Sequence, residues 1–407
     1  MEWTFNSYHT LILATLVLLL GKALVNKIKF LRDFNIPDPV VGGLVAAVVL
    51  YGIHLAFGNT FSFDSSIRNA FMLVFFSSIG LSADFSRLRA GGKPLVVFLV
   101  LVSVFILVQN VVGIGLASLL GLDPLLGLIT GSITLTGGHG TAGAWGEIFE
   151  NKYHINGAVT LGMASATFGL VAGGLIGGPV ARRLIQKHLK MKNLNAPQHI
   201  DDEQSRVYQF EGPEQTRLIT ATSAVETMAL FAACLSFAHI MTGVFKGAVF
   251  ELPTFVWALF GGVVLRNVLV NAFNVKMFDR AIDVFGNASL SLFLAMAFLS
   301  LKLWELAGLA GPVLIILAVQ TVVMILYASY VTFRLMGKDY DAAILAAGHC
   351  GFGMGATPTA IANMQVVTEK FGPSHKAFLI VPMVGAFFID LVNAAVLQFF
   401  ASLSFLH

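Results

Sequence analysis
Apolar runs of membrane length alternate along the chain with short polar punctuation, and they predict ten spanning helices. In the first half they fall near 8–25, 39–57, 70–83, 95–120 and 156–180, and in the second near 218–241, 252–270, 288–303, 312–333 and 377–400. The third and eighth runs are shorter than the ~20 residues of a straight span, so their ends are soft. Two segments interrupt this pattern in matching places. Thr134-Leu-Thr-Gly-Gly-His-Gly-Thr-Ala-Gly-Ala-Trp145 lies between runs four and five, and Gly348-His-Cys-Gly-Phe-Gly-Met-Gly-Ala-Thr-Pro-Thr-Ala360 between runs nine and ten. In lipid, backbone amides and carbonyls must be satisfied within the protein, so such helix-breaking runs survive only where they line a shielded cavity. We read each as a re-entrant hairpin that enters and leaves on one side, over about 125–147 and about 341–362.

The halves repeat. Asn69–Pro94 aligns without gaps on Asn287–Pro312, with identities that include Asn69/Asn287, Phe75/Phe293, Ser82/Ser300 and Pro94/Pro312. Gly121–Ala144 aligns likewise on Gly337–Ala360, pairing Gly121/Gly337, Asp123/Asp339, Thr141/Thr357 and Ala144/Ala360. Five spans per repeat is odd, so the second repeat enters the membrane upside down and the hairpins open from opposite sides. The predicted fold class is thus an all-α polytopic membrane protein of two inverted-topology repeats. Each has five transmembrane helices, with a re-entrant hairpin before its last helix. The first repeat covers 1–181, a cytoplasmic linker rich in charge 182–217, and the second repeat 218–407.

Composition agrees with this class: 57% of the 407 residues are hydrophobic and only 12% charged, well below the quarter usual in a globular domain. Charge distribution orients the spans. With the N-terminus outside, only Arg68, Lys152, Lys246 and Lys302 of the 25 Lys and Arg lie outside, in keeping with the positive-inside rule. Both termini are then periplasmic and the central loop cytoplasmic. The formal charge of +3 does not suggest a nucleic-acid partner, because the basic residues sit at segment ends rather than on one face. Cys234 and Cys350 read as small buried residues. The first residues lack the basic region of a cleaved signal peptide, so the first run reads as a retained helix.

Paired interruptions in corresponding positions point to a transporter's binding site. Candidate substrate-binding residues are Thr136, Gly137, Gly138, His139, Gly140 and Thr141 in the first hairpin. In the second they are Gly351, Gly353, Gly355, Thr357, Thr359 and Asn363. A half-helix N-terminus carries roughly +0.5 charge and free amides, so two tips can grip carboxylates without arginine. Carbonyls freed where the backbone unwinds are hard ligands suited to Na⁺. The competing explanation is close helix packing, which is how Gly169, Gly173 and Gly177 read at four-residue spacing. Asp390 falls mid-span, where a charge costs about 2.5–3.5 kcal/mol on the insertion scale, and Asn393 follows on the same face. A cation (Na⁺) site at Asp390 and Asn393 is the first expectation, a hydrogen-bonding anchor the second. Glu226 is read evenly as a functional charge or as one that pairs with a basic group at a packed interface, and Gln109, Asn110 and Gln320 are expected to join helices rather than touch substrate. His139 and His349 either shuttle protons or shape their tips through a carbonyl hydrogen bond. Gly351-Phe-Gly-Met-Gly-Ala356 lacks the βαβ setting of a dinucleotide fingerprint, and no Walker lysine follows a glycine run. No nucleophile–base constellation appears, so an enzyme is not expected.

At Gly-Gly-His-Gly-Thr141, Gly-His-Cys-Gly-Phe-Gly-Met-Gly355 and Ala-Thr-Pro-Thr-Ala-Ile-Ala-Asn363 the chain closely resembles the glutamate:sodium symporter family. The resemblance extends nearly end to end, through Ile36-Pro-Asp-Pro-Val-Val-Gly-Gly43, Leu175-Ile-Gly-Gly-Pro-Val-Ala181 and Phe371-Gly-Pro-Ser-His375. It implies a bacterial inner-membrane secondary transporter that couples Na⁺ entry to L-glutamate uptake, with no cofactor and Na⁺ as the coupling ion. It also implies homodimers and an elevator movement. The rival readings are a proton-coupled di- or tricarboxylate carrier, which His139 and His349 would suit, and an anion channel.

Overall fold
The computed structural model describes residues 2–34, 36–189, 219–247, 252–275, 277–306 and 309–403. The predicted linker from residue 190 to 217 lies outside the described residues. The chain is overwhelmingly helical: α1 (Ser7–Lys27), α2 (Asp38–Phe57), α3 (Ser66–Ser82), α4 (Phe85–Leu119), α5 (Pro124–Leu128), α6 (Gly138–Lys152) and α7 (Ala158–Leu184) precede the linker. After it come α8 (Ala221–Val244), α9 (Thr254–Phe273), α10 (Asp279–Leu299), α11 (Ala310–Tyr327), α12 (Tyr340–Met354), α13 (Thr357–Phe371), α14 (His375–Met383) and α15 (Ile389–Ala401). Among the described residues, eight helices are long and apolar enough to cross a membrane. The third predicted span, α3, is apolar but only 17 residues long, and the tenth is split into α14 and α15 by a π-helical turn, Val384–Phe388.

Four differences from the sequence expectation have physical causes. The eighth span, expected over 288–303, begins at Asp279 and ends at Leu299. Its first turns carry Asp279, Arg280 and Asp283, which hydropathy penalises, and Asp279 is satisfied in place by pairing with Arg266 of α9. The arms after both interruptions run on to Lys152 and Phe371, beyond the expected ends at 147 and 362. Glu226, for which a packed interface is one of the two readings, is exposed on α8. The chain is also not wholly α: Glu2–Phe5 pairs in parallel with Thr60–Phe63, and Phe5 stacks on Phe61 and Phe63. Both strands alternate polar and aromatic residues, a period-2 signal that four residues are too few to announce.

Local chemistry explains the starts of the interrupted segments. Gly121 and Gly337 both adopt positive φ. Two residues later Asp123 Oδ1 accepts the Leu125 amide at 2.9 Å, and Asp339 Oδ1 accepts the Ala342 amide at 2.7 Å. The aligned Gly-x-Asp pairs are therefore one device used twice, a left-handed turn followed by an N-cap.

The helices pack as two groups. One holds α1, α2, α3, α8, α9 and α10, where glycines let backbones touch: a Cβ on Gly80 would lie 2.1 Å from Leu259 O. A buried ion cluster ties this group together, with Arg266 of α9 donating to Asp84 (3.2 Å) just past α3 and to Asp279 at the head of α10. The other group holds α4–α7 and α11–α15. Its centre is α7, whose Gly169, Gly173 and Gly177 seat α12, with Met354 O, Cys350 O and Ala347 O in the way of any added side chain. Cys234 and Cys350 are both free and buried.

Candidate functional site
A cavity of about 1520 Å³ lies between the two groups. One wall comes from α1, α3 and α10, with Lys22, Ser78, Ser82, Asp279, Arg280, Asp283, Asn287 and Ser291. On α10 the polar members recur every four residues, which puts Asp279, Asp283, Asn287 and Ser291 on one face. That spacing was readable in the sequence, but placing the span at 288 cut it off. The opposite wall comes from the two interruptions and from α14–α15.

In the first interruption the helix loses its regular course at Gly131 (φ −101°, ψ −132°) within the π-turn Ile129–Ile133, then restarts as α6 at Gly138 (φ 68°). In the second, α12 ends at Met354 and α13 starts at Thr357. Both restarts reach the cavity, through Thr136, Gly137, Gly138, His139 and Gly140 on one side and Gly355, Ala356, Thr357 and Pro358 on the other. The tips touch: a Cβ on Gly138 would lie 3.5 Å from Gly355 O. Two helix N-termini, each with unsatisfied amides and partial positive charge, thus share one cavity wall.

Gln109 of α4 stitches the tips together. Its Nε2 donates to Gly353 O at 2.8 Å, and its Oε1 accepts from the Thr136 hydroxyl at 2.6 Å. Gln320 of α11 in turn donates to Gln109 O at 2.7 Å. Around Ser132, Asn110 Oδ1 accepts the Ser132 amide (3.0 Å), and Asn393 Nδ2 donates to Ser132 O (3.1 Å). The free ends of that cluster, Ser132 Oγ, Asn393 Oδ1 and Asn110 Nδ2, are buried without hydrogen-bond partners.

The remaining expected substrate-binding residues, Thr141, Gly351, Gly353, Thr359 and Asn363, do not line the cavity. Gly351 is a contact glycine, because a Cβ there would sit 2.3 Å from Ala360 Cα in the opposite arm. Gly353 offers its carbonyl to Gln109. Asn363 donates to Gly173 O at 2.8 Å and fastens α13 to α7. Thr141 and Thr359 are buried, the latter with its hydroxyl unpartnered. Asp390 faces the cavity, whereas Asn393 is turned towards Ser132. Both stand on α15 three residues apart, so the difference lies in their tertiary neighbours, the cavity for one and the first interruption for the other, which helical spacing does not reveal.

The histidines also part company. His139 lines the cavity, with Nε2 3.0 Å from Thr167 Oγ1. That hydroxyl donates to Met163 O, so the imidazole Nε2–H is the donor to it. His349 is fully buried in a box of Phe98, Phe105, Tyr327 and Phe352, with Nδ1 2.9 Å from Thr332 Oγ1.

Long apolar helices, with paired helix breaks on the wall of a cavity between two bundles, define a multi-pass membrane protein. The sodium/glutamate symporter family model matches residues 3–373. The chain is 55% identical over 398 residues to the sodium/glutamate symporters of Haemophilus influenzae and Escherichia coli, covering 98% of this chain and of each relative. It belongs to the sodium/glutamate symporter family. Among solved structures, the sodium proton antiporter MjNhaP1 of Methanocaldococcus jannaschii covers 97% of both chains at 13% identity and a TM-score of 0.42. That likeness is too weak to carry an argument about function.

Proposed function
We propose that the protein is a Na⁺-coupled L-glutamate uptake carrier of the bacterial inner membrane, working by alternating access. The observation that carries this reading is the meeting of two helix N-termini, at Gly138 and Thr357, on one cavity wall. Two anionic ends of one solute match two positive helix ends. Thr136, Gly137, Gly138, His139, Gly140, Gly355 and Thr357 hold the substrate directly; Thr141, Gly351, Gly353, Thr359 and Asn363 keep the tips in shape. Na⁺ takes hard oxygens at the unwound stretch of the first tip, where Asn393 Oδ1 and Ser132 Oγ are buried without partners. More than one Na⁺ enters per glutamate, because an anion moving inward against the membrane potential loses ~2.3 kcal/mol per charge per 100 mV.

The two helix groups support an elevator movement. Each repeat gives its first three spans to one group and its interruption and flanking spans to the other, as inverted repeats would. The group with the tips is the moving body and the other the scaffold, at which homodimers form. With the basic end of α1 in the cytoplasm and both termini periplasmic, Lys22 and Arg280 mark a cytoplasmic mouth and the cavity faces inward. The linker 182–217 joins the repeats on that side. Proton coupling through both histidines is disfavoured because His349 is boxed by aromatic rings away from the cavity.

The test is uptake by Gly138→Val and Gly355→Val in proteoliposomes. Both variants are expected to insert and to lose uptake. Wild-type uptake by either would remove its tip from the site.

A further inference from the structure
Two helix N-termini account for the two carboxylates of a glutamate but leave its ammonium group unmatched, and this asks for a negative charge on the same wall. We propose that Asp390 is the ammonium ligand, the residue that makes the carrier select an α-amino dicarboxylate over the same dicarboxylate without nitrogen. The inference rests on the glutamate reading.

Three observations carry it. First, Asp390 lines the same cavity as the tips, and it does so from the helix group that bears them. The other carboxylates of the lining, Asp38, Asp279 and Asp283, belong to α2 and α10 in the opposite group. Asp279 is moreover held by Arg266, and Asp283 lies 3.5 Å from the Ser82 hydroxyl. A ligand that travels with the tips can keep only a partner that travels with them. Second, the distance suits one small molecule. The Thr357 hydroxyl, in the first residue of α13, donates to Gly385 O at 2.7 Å, which fixes the second tip against the π-turn. Asp390 lies five residues further along, about 7 Å at the rise of a helix, within the reach of an amino acid whose carboxylate rests on that tip. Third, among the described residues no side chain is hydrogen-bonded or ion-paired with the Asp390 carboxylate. A mid-span carboxylate without a protein partner needs one from the solute.

Sodium fits this position less well. A hard cation gathers several oxygens around itself, yet Asn393, the nearest polar residue along the helix, is turned to the first interruption at Ser132 and is absent from the cavity wall that Asp390 lines. An ammonium has three donors and binds a single carboxylate through a charge-assisted hydrogen bond. The same unpaired charge repels a dicarboxylate that lacks the ammonium, so Asp390 both attracts the right solute and rejects the wrong one.

The experiment compares wild-type, Asp390→Asn and Asp390→Glu, full-length and in proteoliposomes. L-glutamate uptake, its inhibition by glutarate, and the Na⁺ concentration for half-maximal uptake at saturating glutamate are measured together. Ligand-induced thermal shifts of the purified proteins supply binding without transport. Asp390→Asn is expected to weaken glutamate roughly 10- to 100-fold, the worth of a charged hydrogen bond. Glutarate should bind as well as to the wild type or better, and half-saturation by Na⁺ should not move. Asp390→Glu, which keeps the charge, should retain more of the preference for glutamate than Asp390→Asn. Equal loss of glutamate and glutarate together with a raised Na⁺ requirement would overturn the proposal and return Asp390 to the cation. Unchanged glutamate affinity in Asp390→Asn would overturn it as well. A wild type that takes up no glutamate under any gradient would instead refute the parent reading.

Discussion
Replacing Gly351 by alanine tests whether the second tip depends on backbone contact between its arms. The added Cβ would lie 2.3 Å from Ala360 Cα, 2.5 Å from Ala360 N and 2.9 Å from Thr359 C. All three are main-chain atoms, so no side chain can rotate away. To reach ordinary contact the arms must part by about 1 Å, and forcing one methyl into so close a packing costs about 1–3 kcal/mol. Buried amides displaced at this depth find no water to replace lost partners, which favours the upper end of that range. Gly115→Ala on α4 is the control, since nothing lies within 4 Å of its added Cβ. There the same change should be neutral or gain about 0.5–1 kcal/mol, because alanine forms helix better than glycine. Thermal unfolding of the purified variants in detergent, alongside glutamate uptake, separates the two. A Gly351→Ala protein as stable and active as wild type would refute the contact argument, as would a Gly115→Ala protein damaged to the same degree.

Three more outcomes are expected from the same geometry. Gln109→Leu removes the two short hydrogen bonds to the Gly353 carbonyl and the Thr136 hydroxyl and leaves only the longer Thr136–Gly353 O contact at 3.4 Å, at a cost of about 1–3 kcal/mol; unfolding should move to lower temperature and uptake should fall. Arg266→Leu removes the guanidinium from the buried Asp84 carboxylate and should lower stability by up to about 3–5 kcal/mol, while Arg266→Leu with Asp84→Leu should recover part of it. A double-mutant cycle on thermal stability checks this, and a double variant no better than the single one would count against the ion cluster. Asn393→Leu should raise the Na⁺ requirement for uptake at least tenfold while glutamate affinity at saturating Na⁺ holds; an unmoved Na⁺ curve would take the cation elsewhere.

Much of the fold was legible because bilayer physics permits few patterns. The interruptions at Gly137–Gly140 and Gly351–Gly355 announced themselves by glycine among apolar residues, and the caps at Asp123 and Asp339 by their shared spacing from a turn glycine. Hydropathy failed where charge is neutralised locally. Asp279 looked like loop but opens α10 because Arg266 pairs with it, and with that start the polar face of Asp283, Asn287 and Ser291 was lost too. Within the tips, sequence could not separate a glycine that meets solute from one that meets backbone. Gly138 and Gly351 read alike, yet one lines the cavity and the other is pressed on Ala360. The same holds for Asp390 and Asn393, which share the regular helix α15 yet meet different tertiary neighbours, the cavity and Ser132 O. The bridge from Gln109 to Gly353 joins residues 244 positions apart, and nothing local in the sequence marks the pairing.

Labelled L-glutamate uptake into proteoliposomes, under an inward Na⁺ gradient and separately under an inward proton gradient, tests the central claim most directly. Accumulation with Na⁺ alone, enhanced by an inside-negative potential, is the predicted result. Accumulation driven by protons without Na⁺ would contradict it, and would shift the coupling role to His139, the histidine that lines the cavity.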